Sequence, residues 1–328
     1  MSGNHNQSLE RALTIVDAAA ASGADAIKLQ TYTADTMTLN VEGPGFVIED
    51  PDSLWAGRQL YDLYKEAHTP WAWHKTIFAR AKEKGIHCFS TPFDETAVDF
   101  LESLNVPAYK IASFENTDLP LIQKVAATGK PLIISTGMAT IAEIDEAVKT
   151  VEAVGNKQLI LLKCTSSYPA TPENTNLNTI PNLRETFGCE VGLSDHTLGI
   201  GVAVAAVALG ASVIEKHFTL SRTDGGVDAA FSLEPHEFAL LRQETERAWL
   251  ALGKVCYGST PAEERSKVFR RTLYVAKEIA AGEILTRENV KIVRPGFGLP
   301  PKHFHEVLGR RSNRELSAGT ALKWEYLS

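Results

Sequence analysis

No stretch of this 328-residue chain approaches the roughly 20 consecutive apolar residues of a membrane-spanning helix. Its first residues, MSGNHNQSLE, carry neither the basic patch nor the apolar core of a secretory leader. The expected location is therefore the cytoplasm. Cysteine is scarce: Cys88, Cys164, Cys189 and Cys256 stand far apart without a C-x-x-C pair. That spacing argues against a disulfide framework and a thiolate zinc site, and leaves reduced thiols in the core or near a site. Positive charge is in deficit, with 33 Lys and Arg against 40 Asp and Glu. Nucleic acid and anionic membranes need a basic face, so any anionic ligand here must be held locally. No low-complexity tract appears, and a 44% hydrophobic content supplies enough core for one large domain and one small one.

What is present is a repeating grammar. Seven short β-branched runs read as strands: ADAIKLQ (24–30), IHCFST (86–91), AYKIAS (108–113), PLIIST (131–136), QLILLKCT (158–165), EVGLSD (190–195) and SVIEKHFT (212–219). Helical patterns separate them at 95–104, 119–128, 141–154, 200–209 and 235–252, and Ser8 is placed to cap a further helix beginning near Arg11. Alternating strand and helix predicts a parallel sheet covered by helices, and a closed α/β barrel of the TIM (β/α)8 type over residues 1–252 is the natural arrangement. An open doubly wound sheet remains the alternative. Eight strands counted backward from Ala24 require one immediately before the first helix, so MSGNHN reads as the loop that follows a strand this sequence lacks. Residues 253–267, GKVCYGSTPAEERSK, read as a linker. The runs LYVAKEI and RRSNREL, each followed by an Ala-Gly turn, predict a compact β-rich module over 268–328.

In such a fold ligands gather at the carboxyl ends of the strands. Those ends carry Lys28 and Gln30; Ser90 and Thr91; Lys110, Ser113 and Glu115; Ser135 and Thr136; Thr165, Ser166 and Tyr168; Ser194, Asp195 and His196; Glu215 and His217. A ring of hydroxyls around two lysines is the composition of a phosphate or carboxylate site. His196 and His217 end successive strands, where two neutral imidazoles could share a divalent transition ion and leave it open to a substrate oxygen. Glu215 is read as out of phase with its neighbours and structural. Glu115 and Asp228 are loop carboxylates able to orient a sugar or move protons. Trp55 and Arg58 belong to a long insertion, GPGFVIEDPDSLWAGRQLYDLYKEAHTPWAWH (43–74), of the kind that covers substrates. HTLGIGVAVA lacks the third glycine of a dinucleotide fingerprint, so no nicotinamide cofactor is expected.

The ordered motifs KLQTYTADTMT, STPFDE, PAYKIASFE, STGMAT, CTSSYPA, GLSDHTLG, IEKHFT and RPGFGLPP resemble the sialic acid synthase family over practically the whole chain. SLWAGRQLYDLYKEAHTPWAW looks like its pseudaminic acid synthase branch. The resemblance implies a TIM barrel joined to an antifreeze-like (SAF) domain in a domain-swapped homodimer. It further implies that phosphoenolpyruvate condenses with an acetamido sugar, with Mn²⁺ or Mg²⁺, releasing phosphate. For this branch the sugar would be 2,4-diacetamido-2,4,6-trideoxy-L-altrose. By that resemblance Lys28, Thr91, Lys110, Ser113, Ser135 and Ser194 hold phosphoenolpyruvate, and His196 and His217 hold the metal. Gln30, Tyr168, Asp228 and Arg294 surround the sugar, with Arg294 reaching in from the partner's C-terminal domain, and Glu115 is a catalytic carboxylate. Ser166 stands where neuraminate enzymes place asparagine in the phosphate shell. Family members also carry a glutamate at the end of the first strand, which would fall just before Met1, so a start further upstream is expected.

Other activities share parts of this pattern. N-acetylneuraminate or legionaminate synthesis would use the same motifs, and a shortened, non-catalytic subunit could bind sugar alone. Lys110 at a strand end also suits a Schiff-base aldolase, and His196, His217 and Asp228 suit a metal-dependent hydrolase.

Overall fold

The computed structural model describes residues 1–328 as two compact units, Met1–Gly253 and Lys254–Ser328. In the first, seven parallel strands run in sequence order: β1 (Ala26–Thr31), β2 (His87–Pro92), β3 (Tyr109–Ile111), β4 (Leu132–Ser135), β5 (Leu159–Cys164), β6 (Glu190–Asp195) and β7 (Val213–Lys216). All seven expected strands form, each within two or three residues of its expected limits. Helix α1 (Leu9–Ala21) precedes β1, and Ser8 caps it by accepting a hydrogen bond from the Arg11 N–H. The long connection from β1 to β2 holds α2 (Ala34–Met37), α3 (Leu60–Ala67) and α4 (Trp71–Glu83). One helix then follows each strand: α5 (Glu95–Ser103), α6 (Leu119–Ala126), α7 (Ile141–Ala153), α8 (Thr179–Phe187), α9 (Gly201–Ala208) and α10 (Pro235–Leu252).

These helices start where their sequences supply caps. Asp94 accepts from the N–H groups of Thr96 and Ala97, Asp118 from Leu121, and Thr140 forms a reciprocal capping box with Glu143. Their apolar faces meet the outward side chains of the sheet in one core that includes Leu101, Tyr109, Ile111, Ile122, Ile134, Val151 and Leu161. Burying each such aliphatic side chain stabilises the fold by about 1.5–3 kcal/mol. The curled sheet has two free edges, β1 and β7. Residues 1–6 bridge them at their carboxyl ends: the Met1 amine donates to the Lys28 carbonyl at 3.0 Å, and Asn4 Nδ2 donates to the Phe218 carbonyl at 2.9 Å. A cavity of about 740 Å³ runs along both edges, lined by residues of β1, β7 and α10 from Ala26 and Val213 to Trp249.

The second unit is built on an antiparallel pair, β8 (Thr272–Val275) and β9 (Val290–Val293), and a short helix α11 (Phe304–Val307). Leu273, Val275, Ile279, Leu285, Val307, Leu316 and Leu322 form its core. LYVAKEI contributes β8, but RRSNREL makes only single bridges, Ile284 to Arg311, Ile279 to Leu316 and Ser312 to Leu327. Four of its seven residues are arginine or glutamate, and the short, turning backbone pairs one residue at a time.

Candidate active site

Side chains alternate between the two faces of a strand, so a polar strand end belongs to the interior only at one parity. Lys28 and Gln30 of β1, Thr91 of β2, Lys110 of β3, Ser135 of β4, Ser194 of β6 and Glu215 of β7 share the parity of the inner face. Lys110 is fully buried and donates from Nζ to Ser135 Oγ at 2.6 Å and to the Ile111 carbonyl at 3.2 Å. Burial pushes the Lys110 ammonium down to about 8, with Lys28 adding to the shift and Glu215 opposing it. The Thr91 hydroxyl is buried and meets no hydrogen-bond partner, which leaves a directional donor free for a ligand.

The structure corrects the reading of Glu215 as out of phase. Residues 215 and 217 are two apart and therefore point the same way, and the Glu215 carboxylate sits 3.3 Å from Lys28 Nζ and 3.8 Å from Lys110 Nζ. It also accepts from Ser194 Oγ at 3.2 Å. Burial alone would raise this carboxyl, but Lys110, Lys28 and His217 together hold it well below the usual carboxylate range.

Four of the polar strand ends lie outside this ring. Ser90 shares its hydrogen bond with Thr31, which also meets His74 of α4 at 2.8 Å. Thr136 donates to the Leu162 carbonyl, and Thr165 to the Asn174 carbonyl. Asp195 accepts from Lys216 Nζ at 2.9 Å, and its other oxygen takes the N–H and hydroxyl of Thr197. Each of these four satisfies its polar atoms within the framework, and the ring of hydroxyls is correspondingly smaller than the sequence suggests.

Ser113 and Ser166 converge on Gly137. A Cβ there would come within 2.3 Å of Ser166 Oγ and 2.8 Å of Ser113 Oγ, so the glycine is what lets two hydroxyls approach the backbone of the β4 turn. Cys164, on the inner parity of β5, lies 3.9 Å from both Ser166 Oγ and His196 Nδ1. Burial pushes its thiol up, but the hydrogen bond and charge of His196 outweigh that and leave it at about 7. The cysteines were expected as reduced thiols in the core or near a site, and Cys164 is one that lies beside the candidate site.

His196 and His217 stand with ring centroids 5.3 Å apart. His196 Nδ1 faces the Thr165 carbonyl at 2.9 Å, and because a carbonyl only accepts, Nδ1–H donates. The Nε2 lone pair is then free, the arrangement a metal-ligating imidazole uses. His217 is kept neutral by burial and by the neighbouring His196 and Lys28, and its buried Nδ1 has no hydrogen-bond partner. Asp228 Oδ2 lies 3.8 Å from that nitrogen. No group of three or more His, Cys, Asp or Glu forms a closed cage. Two free imidazole nitrogens at an otherwise open mouth fit a divalent ion whose other positions are left to small molecules.

Around the histidines lies an aromatic wall. The Tyr168 ring is 4.6 Å from that of His196, 5.2 Å from Phe231 and 5.9 Å from Trp55, whose indole N–H donates to the Val227 carbonyl. The insertion between β1 and β2 therefore folds onto the loop that carries Asp228. Ser2 Oγ is within hydrogen-bond reach of both Gln30 Oε1, at 2.7 Å, and the Asp228 carboxylate, a link through residues 1–6 that the sequence reading missed. Glu115, in the turn after β3, keeps one carboxylate oxygen buried and unpartnered; burial pushes the group up to about 7 against the pull of Lys110. Arg294 belongs to the second unit, exposed just after β9.

A curled parallel sheet with paired lysines, hydroxyls and two open imidazoles at its carboxyl end defines an anion-binding site of the α/β-barrel kind. Residues 15–257 match the NeuB family and residues 270–328 the SAF domain, and the chain belongs to the NeuB family. It is 46% identical over 323 residues to pseudaminic acid synthase of Campylobacter jejuni, covering 98% of this chain and 94% of that protein. Pseudaminic acid synthase of Helicobacter pylori is 44% identical with the same coverage. The crystal structure of N-acetylneuraminic acid synthetase from Leptospira borgpetersenii in complex with citrate is similar at a TM-score of 0.70 and 33% identity, covering 80% of this chain and 86% of that one. No helix is long and apolar enough to cross a membrane.

Proposed function

We propose that this chain is a pseudaminic acid synthase, joining phosphoenolpyruvate to 2,4-diacetamido-2,4,6-trideoxy-L-altrose. The observation that carries the reading is the convergence of Lys28, Lys110, Ser135 and Ser194 beside the paired imidazoles of His196 and His217. In the overall change, the methylene carbon of phosphoenolpyruvate bonds to the aldehyde carbon, whose oxygen gains a proton. Water adds to the second carbon of the enol ester, and the resulting tetrahedral centre expels phosphate to leave the keto acid. Lys28 and Lys110 neutralise the phosphate and carboxylate, with Thr91, Ser113, Ser135, Ser166 and Ser194 as directional donors. Glu115, poised near neutrality, takes the proton of the added water. Gln30, Tyr168 and Asp228 fix the sugar so that the reacting carbons meet. His196 and His217 would hold Mn²⁺ or Mg²⁺, which when bound supplies Lewis-acid polarisation of the aldehyde oxygen. In the domain-swapped homodimer this reading includes, Arg294 of one protomer completes the sugar site of the other.

The test is incubation with phosphoenolpyruvate, Mn²⁺ and a panel of acetamido sugars, reading released phosphate and product mass. The altrose derivative should give a nine-carbon acid with one phosphate per turnover. Product only from a neuraminate or legionaminate precursor would move the chain to that specificity. Absence of phosphate release with every sugar would sink the proposal.

A further inference from the structure

The groups best placed to receive a substrate anion already share one of the protein's own. Glu215 offers one carboxylate oxygen to Lys28 Nζ at 3.3 Å and to Ser194 Oγ at 3.2 Å, while the other faces Lys110 Nζ at 3.8 Å. Lys110 in turn is tied to Ser135. Four side chains from β1, β3, β4 and β6 are thus gathered around a carboxylate from β7. Two ammonium groups this close and this poorly solvated repel one another, and an intervening anion is what keeps both in place. The same anion halves the local positive charge available to an incoming ligand.

We propose that Glu215 is a positioning residue acting as a built-in counter-anion: it aligns Lys28 and Lys110 before the substrate arrives, and competes with the substrate's phosphate or carboxylate for them. The assignment rests on the phosphoenolpyruvate reading above. Its effect is to weaken ground-state binding of substrate and of product phosphate while keeping the lysines arranged for the charge that develops during reaction. Interactions that are stronger in the transition state than in the ground state raise turnover, whereas a bare pair of lysines would grip substrate and product alike. A purely structural ion pair gives the opposite sign, because removing it would disorder the lysines and loosen every anion.

Titration calorimetry with inorganic phosphate separates the two. Glu215→Gln should bind phosphate about tenfold more tightly than the wild type, the scale of one screened charge lost from a partly buried site, with a steeper salt dependence. In turnover assays its KM for phosphoenolpyruvate should fall together with a kcat reduced at least about tenfold. Unchanged or weaker phosphate binding by a folded Gln variant overturns the inference, as does a wild type that takes up no phosphate at millimolar concentration. If the Gln variant does not fold, Glu215→Asp decides: its shorter carboxylate withdraws from the lysines and should tighten phosphate a few-fold, and no gain overturns the proposal. A wild type that binds phosphate yet never consumes phosphoenolpyruvate removes the functional reading without touching this result; turnover in the wild type without a gain in the variants removes the counter-anion alone.

Discussion

Asp195 and Lys216 form an ion pair, 2.9 Å between Oδ2 and Nζ, in which both side chains are shielded from solvent on the helix side of the sheet. Lys216 Nζ also donates to the Thr197 carbonyl at 2.5 Å, and Asp195 holds the Thr197 N–H. The pair staples the ends of β6 and β7 at the register Asp195 to Lys216, between Ser194 and His196 on one strand and Glu215 and His217 on the other. Removing one partner strands a buried charge, so Lys216→Met should cost about 3–5 kcal/mol in urea unfolding, and the double variant Asp195→Leu/Lys216→Met appreciably less.

Glu115 sets a pH dependence in two observables. Its carboxyl is pushed from 4.5 to about 7 by burial, so a role as base predicts that kcat/KM rises with pH to half its plateau near 7. Glu115→Gln should flatten that limb and lower the plateau by about 10²-fold or more. Stability moves oppositely. A folded value above the unfolded one contributes stability that is complete below 4.5 and is lost as pH rises through about 7. The wild type should lose stability relative to Glu115→Gln across that window in denaturation followed by circular dichroism.

Gly137 admits no side chain, since its neighbours are the hydroxyls of Ser113 and Ser166. Gly137→Ala should leave the fold intact while raising KM for phosphoenolpyruvate about tenfold or more, a displacement of donors worth roughly one hydrogen bond to a charged group. An unchanged KM would remove both serines from the anion shell.

His196→Ala should abolish Mn²⁺ uptake measured by calorimetry while circular dichroism stays that of the wild type, because the ring is held by one hydrogen bond to Thr165 and by aromatic contacts at the mouth. Metal-dependent turnover that survived the substitution would refute the ligand assignment.

Trp55→Ala should act on the sugar and spare phosphoenolpyruvate. The indole packs on Tyr168 and hydrogen-bonds beside Asp228, so its loss should raise the sugar KM about tenfold and narrow the preference among acetamido sugars, within the few kcal/mol that an apolar wall supplies.

Much of this architecture is written locally. Short apolar runs such as LILL and capped helices such as Thr140 to Ala153 announce themselves, because periodicity and caps are properties of neighbouring residues. The two lysines and two histidines were equally legible from their strand-end positions. Facing direction was the weak point: Ser90, Thr136, Thr165 and Asp195 looked like ring members and Glu215 did not, although counting in twos from Lys28 or His217 separates some of them. The partners of Ser2 and Asn4 lie up to 228 residues away, and nothing in a local window encodes such a meeting. RRSNREL failed as a strand because only tertiary surroundings determine whether an extended segment finds a continuous ladder.

The tripeptide Glu215-Lys216-His217 places two chemistry-bearing side chains on one surface of a ribbon and their anchor on the other. A library covering every substitution at these three positions should return a zigzag: tighter anion binding with slower turnover at the first, weaker metal binding with slower turnover at the third, and melting-temperature defects at the second. Inserting a single residue ahead of Glu215 would trade the roles of all three at once, so such indels should be tolerated far less than any point change in the same segment.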